Sequence, residues 1–77
     1  MKEILILGTG CAKCEKLYEN VRQAAALLGM QCNIQKITDI QEIMKHGVVM
    51  TPGLVIDGEI KLTGKVPSVD ELKNMLA

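Results

Sequence analysis

Two short runs, Ile4-Leu5-Ile6-Leu7 and Leu54-Val55-Ile56, have no polar residue on either strand face. Side chains alternate between the two faces of a strand, so a run apolar at every position must be covered on both sides. These runs belong at the centre of a sheet held between helices. Two other segments are apolar only at alternate positions. Met30, Cys32 and Ile34 alternate with Gln31, Asn33 and Gln35, and Ile60 and Leu62 flank Lys61 in the segment 59–63. These read as edge strands, with Ile60 and Leu62 inward and Lys61 outward.

Helical spacing fills the gaps. From Cys14 the apolar positions are Leu17, Val21, Ala24, Ala25 and Leu28, and Gly29 follows as a C-terminal cap. A short second helix places Ile40, Ile43 and Met44 on one side. Thr38 or Asp39 caps it, Asp39 and Glu42 have capping-box spacing, and Gly47 ends it. A last helix starts at Ser68 with Glu71 three residues on, and carries Val69, Leu72, Met75 and Leu76 as its apolar stripe. Asp57-Gly58 is a two-residue hairpin signal. The order is β-α-β-α-β-β-α. The first two strands, joined by a helix, should be parallel; the last two form an antiparallel hairpin. The predicted fold is a three-layer α/β/α sandwich around a four-stranded mixed sheet with spatial order 4-3-1-2.

With 77 residues and no linker or repeat, residues 1–77 are read as one domain. Tyr18 is the only aromatic side chain, so the core is aliphatic, with five Met residues to fill gaps. Nine basic residues balance nine acidic ones. That balance, without aromatic stacking platforms, gives no support for a nucleic-acid partner. No apolar run nears the roughly 18 residues of a membrane span, and the apolar start is too short for a signal peptide. We expect a cytoplasmic protein without nucleic-acid or membrane partners, acting as a monomer. Three cysteines, an odd count, fit one active pair and one spare rather than a disulfide framework.

The active pair is Cys11-Ala12-Lys13-Cys14, which follows the turn Gly8-Thr9-Gly10 and opens the first helix. Thiols at this spacing can close a disulfide, and a helix N-terminus favours a thiolate. The thiolate is the attacking species in disulfide exchange, which needs no cofactor and no metal. Cys11, before the first helical turn, is the expected nucleophile, with Lys13 adding positive charge. Cys14, one turn in, is the expected resolving thiol. A structural zinc site would need about four ligands, and beyond the pair only Cys32 and His46 are the usual candidates, in no second motif. A soft-metal or metalloid carrier using the same two cysteines is the alternative function. Copper(I) carriers, however, run βαββαβ and place Met where this chain has Thr9. Gly8-Thr9-Gly10 fails as a dinucleotide motif because Lys13 stands at the last glycine position. Cys32 reads as a small core hydrophobe, His46 as a helix-end residue, and Val48-Val49-Met50 as loop packing or a target contact.

Gly10-Cys11-Ala12-Lys13-Cys14, Met50-Thr51-Pro52-Gly53, Val55-Ile56-Asp57-Gly58 and Gly64-Lys65-Val66-Pro67-Ser68 together carry a family resemblance. Over its whole length the chain resembles the thioredoxin/glutaredoxin superfamily, and within it the small thioredoxin-like redox-active disulfide proteins. The resemblance implies a thiol–disulfide oxidoreductase, acting as a protein disulfide reductase or electron carrier. It implies that Pro52 is cis and faces the cysteines, that Thr51 binds substrate through its main chain, and that Gly64 allows close approach of a partner. Implied partners are disulfide-containing target proteins and an upstream disulfide reductase, for which a flavin-dependent enzyme is a candidate. The chain departs from thioredoxins in having Gly10 where they carry Trp, and Ala12-Lys13 where they carry Gly-Pro. Their buried acid near the end of a central strand also has no counterpart in the first strand here.

Overall fold

The computed structural model describes residues 2–77. In chain order the elements are β1 (Lys2–Leu7), α1 (Ala12–Leu28), β2 (Cys32–Ile37), α2 (Ile40–Lys45), β3 (Gly53–Ile56), β4 (Glu59–Thr63) and α3 (Val69–Leu76). The strands form one mixed sheet in the order β2-β1-β3-β4. β1 pairs parallel with β2 and antiparallel with β3, and β3 pairs antiparallel with β4. The wholly apolar strands are central and the alternating ones are edges, as their side chains require. The element order is not the βαββαβ of the copper carriers.

Strand alternation divides the core. Ile4, Ile6, Leu54 and Ile56 face Leu17, Val21, Ala24 and Ala25 of α1 and Leu72 and Leu76 of α3. Leu7 and Val55 face the other way, onto Ile43 of α2 and Val48. Each fully buried aliphatic side chain of this kind contributes about 1.5–3 kcal/mol relative to its exposed state. Cys32 packs partly buried against the larger cluster, with Met30 and Ile34.

Local chemistry sets the boundaries. Gly29 ends α1 in the left-handed region at φ 66°, donating its N–H to the Ala25 and Ala26 carbonyls. The Met30 N–H also returns to Ala25, at 3.0 Å. That use of Met30 delays β2 until Cys32, two residues later than alternation alone suggests. Asp57 and Gly58 both have positive φ, 51° and 84°, as a tight hairpin turn demands. The Asp57 carboxylate accepts the Glu3 N–H at 2.9 Å, and the Asp57 N–H donates to the Glu3 carbonyl at 2.7 Å. At α3, Ser68 and Glu71 form the full capping box.

Three local expectations are corrected. Asp39 caps α2 by accepting the Gln41 N–H at 2.9 Å, but Glu42 pairs with Lys45 instead of closing a capping box. Only Ile43 of α2 is buried; Ile40 and Met44 are 61% and 63% exposed, because a six-residue helix turns a single position onto the sheet. In β4, the register slips between Leu54 and Val55: Leu62 pairs with Leu54, but Ile60 pairs with Val55. The irregularity takes up Lys61 and moves Ile60 onto the opposite face from Leu62, where it is 42% exposed.

Candidate active site

β1 ends at Leu7, and Gly8 extends its ladder by one bond, donating to the Ile37 carbonyl at 2.9 Å. The chain then reverses through Gly10, at φ 91°, and delivers Cys11 to the N-cap of α1 in extended conformation. At an N-cap the side chain accepts a hydrogen bond from the first helical turn, usually through oxygen. Here the acceptor is sulfur: Cys11 Sγ receives the Cys14 N–H at 3.3 Å. The Cys11 carbonyl accepts the Glu15 N–H at 3.1 Å, closing the turn.

Helical spacing places Cys14 on the inner side of that turn. Cys14 is 4% exposed, whereas Cys11 lies open to solvent; both are free thiols. The two environments push the thiols apart. Cys11 is held below the ordinary thiol pKa, chiefly because the Cys14 thiol donates to it and then because the Cys14 N–H does; desolvation opposes this. The Lys13 backbone N–H acts in the same direction. Cys14 is pushed up, first by burial and then because it donates its hydrogen bond to Cys11. An exposed, acidified sulfur backed by a buried, protonated one is the arrangement that stepwise exchange requires.

Pro52 packs beside the pair. It is fully buried immediately before β3, and the Thr51–Pro52 peptide is cis. A β-carbon built on Gly8 would collide with Cys14 Sγ and stand 3.9 Å from Pro52 Cα, so Cys14, Gly8 and Pro52 meet at one point. The Pro52 carbonyl is taken by the Gly64 N–H at 2.7 Å. Gly64 has φ 71°, and the space above it is occupied by the chain's own Met50, whose Cε would lie 3.1 Å from an added β-carbon.

Thr51 is exposed and lines a groove of about 270 Å³ with Thr9, Ile40, Ile43, Met44, Val48 and Val49. Within Val48-Val49-Met50 the roles divide: Val48 is core, at 1% exposure, while Val49 is 90% and Met50 61% exposed. The apolar residues of α2 that fail to reach the core therefore form one wall of this groove. Their pattern is visible in the sequence, where it reads as core.

A mixed sheet between helices, with a Cys-x-x-Cys pair at the first helix start and a proline against it, defines the thioredoxin class of thiol–disulfide oxidoreductases. The chain belongs to the thioredoxin domain family, whose model it matches over residues 2–77. It is 42% identical to a thioredoxin of Methanothermobacter thermautotrophicus over 77 residues, the full length of both chains. It is 47% identical over 76 residues to a thioredoxin of Methanocaldococcus jannaschii, covering 99% of this chain and 87% of that one. No helix among the described residues is long and apolar enough to cross a membrane.

Proposed function

We propose that this protein is a single-domain dithiol reductase that transfers electrons to disulfide-containing target proteins. One observation carries the reading: Cys11 stands exposed at the N-cap with its Sγ accepting the Cys14 N–H at 3.3 Å, while the Cys14 side chain is buried behind it. The Cys11 thiolate attacks a target disulfide, forms a Cys11–target mixed disulfide and expels one target thiolate. Cys14 then loses its proton to solvent and attacks Cys11 Sγ. The Cys11–Cys14 disulfide forms, and the second target sulfur leaves as thiolate. The target gains two electrons and the pair loses two. Thr51 and the groove it lines would receive the target backbone, and the Gly64 N–H holds the Pro52 carbonyl. Re-reduction falls to an upstream disulfide reductase, for which a flavin enzyme is the expected chemical class in a reducing cytosol.

The test is trapping. Cys14→Ser should arrest exchange after the first step and accumulate target proteins covalently held by Cys11, releasable by excess thiol. A variant that collects no adduct from oxidised protein substrates, while wild type reduces none of them, overturns the proposal.

A further inference from the structure

Charge is balanced over the chain but not over its surface. Lys2, Arg22, Lys36, Lys45 and Lys61 are each held in an ion pair. Among the described residues, Lys13, Lys16, Lys65 and Lys73 are held in none. Lys73 belongs to the last turn of α3. The other three are exposed and belong to segments that border the cysteine pair.

Helix geometry and two hydrogen bonds gather them on one flank. Lys13 and Lys16 stand three positions apart on α1, and Asn20 continues the same stripe four positions on. The Asn20 amide donates to the Pro67 carbonyl at 3.0 Å, which holds the segment after β4 against that stripe. Earlier in this segment, the Gly64 N–H holds the Pro52 carbonyl at 2.7 Å. The chain thus runs from Pro52, beside Cys14, across to α1, and Lys65 lies between the two anchors. Lys13 itself stands between Cys11 and Cys14.

Most acids near this flank are engaged elsewhere. Glu15 turns to Lys36 on β2, and Glu19 pairs with Arg22. The Glu71 carboxylate accepts the Ser68 N–H at 3.1 Å. Asp70, in the first turn of α3, makes no ion pair with any of the three lysines. Fold stability does not account for the lysines either. A helix N-terminus disfavours cations, and like charges three apart on a helix repel.

We propose that Lys13, Lys16 and Lys65 form a docking flank for protein disulfides that carry carboxylates beside the cystine. The assignment deepens the reductase reading and rests on it. A target meets two unlike walls. The groove lies on the α2 face of the sheet, has no charged lining residue and suits apolar side chains. The lysines lie on the side covered by α1 and α3 and suit carboxylates. Their ammonium groups draw an acidic segment in before contact and orient its disulfide on Cys11.

The test uses disulfide-linked peptide dimers, alike except that Glu, Gln or Lys flanks the cysteine. Second-order rates of reduction by the reduced protein are read from the thiol peptide released after acid quenching. Each rate is divided by that of a neutral dithiol on the same peptide, which removes the effect of flanking charge on the leaving sulfur. At about 0.01 M salt the Glu peptide should be reduced about tenfold faster than the Lys peptide, the lower end of what steering supplies. At about 1 M salt the difference should shrink to about twofold or less. Lys16→Glu with Lys65→Glu should reverse the order, while the melting curve and the reduction of uncharged hydroxyethyl disulfide stay unchanged. Equal normalised rates for the three peptides at low salt, or the wild-type order persisting in the double variant, overturns the proposal. If wild type reduces neither the peptides nor hydroxyethyl disulfide, the reductase reading fails, and binding alone decides the flank. A thiol-free Glu peptide should then shift the backbone amide resonances of residues 13–16 and 64–66 in wild type and leave them unmoved in the double variant. Unmoved resonances in wild type overturn the docking flank.

Discussion

Gly8 lies directly against Cys14: any β-carbon at position 8 would occupy the space of the buried sulfur and reach within 3.0 Å of Cys14 Cβ. The constraint is spatial. Gly8 opens the turn after β1, and α1 seats Cys14 onto its bare Cα. Gly8→Ala therefore has to move either the helix start or the end of β1. Overpacking of this kind costs about 1–3 kcal/mol. For a domain of this size, each kcal/mol lowers the melting temperature by about 4–8 °C. The variant should melt lower and should let alkylating reagents reach Cys14. An unchanged melting curve with Cys14 still protected would contradict the geometry.

The acidity of Cys11 should depend on what Cys14 donates. Thiolate fraction governs alkylation, so the Cys11 rate should rise with pH and level off at a midpoint below the usual thiol value. Cys14→Ala removes the strongest acidifying contact and leaves the backbone N–H, so the midpoint should move up. Cys14→Ser keeps a hydroxyl donor and should hold it lower than Ala does. Iodoacetamide rates across pH, on a Cys32→Ser background, check the order wild type and Ser below Ala. The signs also apply to stability. A group with lowered pKa in the folded protein stabilises it as pH rises through that pKa, and Cys11 does this. Cys14, raised by burial, works in the opposite sense at higher pH.

The exposed wall of the groove should matter for protein targets alone. Val49 and Met44 line it with Thr51 without entering the core. Val49→Ser with Met44→Ser should leave the unfolding midpoint nearly unchanged. It should raise KM for a protein disulfide about fivefold, the scale expected when apolar side chains are truncated at an interface. Reduction of a small aromatic disulfide should be unaffected. Equal impairment on both substrates would show that these side chains serve the sulfurs rather than docking.

Asn20 joins α1 to the loop before α3. It is a buried polar side chain, and its amide donates to the Pro67 carbonyl at 3.0 Å across 47 residues. Asn20→Ala leaves that carbonyl without its partner and should cost about 1–3 kcal/mol. Urea unfolding measures it, and Cys11 reactivity should be unchanged.

Much of this molecule is written locally. The central position of β1 and β3 follows from two apolar runs without a polar face, and the hairpin follows from Asp57-Gly58. The pairing of an exposed Cys11 with a buried Cys14 follows from their places at an N-cap and one turn inward. What is not legible depends on register and distance. The irregularity at Lys61 sends Ile60 to the other face, and alternation within β4 carries no sign of it. Ile40 and Met44 match a helical stripe, yet α2 is too short to bury them. The contacts of Lys36 with Glu15 and Tyr18 exist only once β2 and α1 are packed together. Asn20 has no sequence neighbour that would announce Pro67.

The most direct measurement is thiol counting with peptide mapping of the protein before and after mild oxidation. The three thiols should fall to one, with Cys11 and Cys14 joined in a single intramolecular bridge and Cys32 free, and a dithiol should restore all three. Three thiols that persist under oxidation, or a bridge that includes Cys32, would contradict the account.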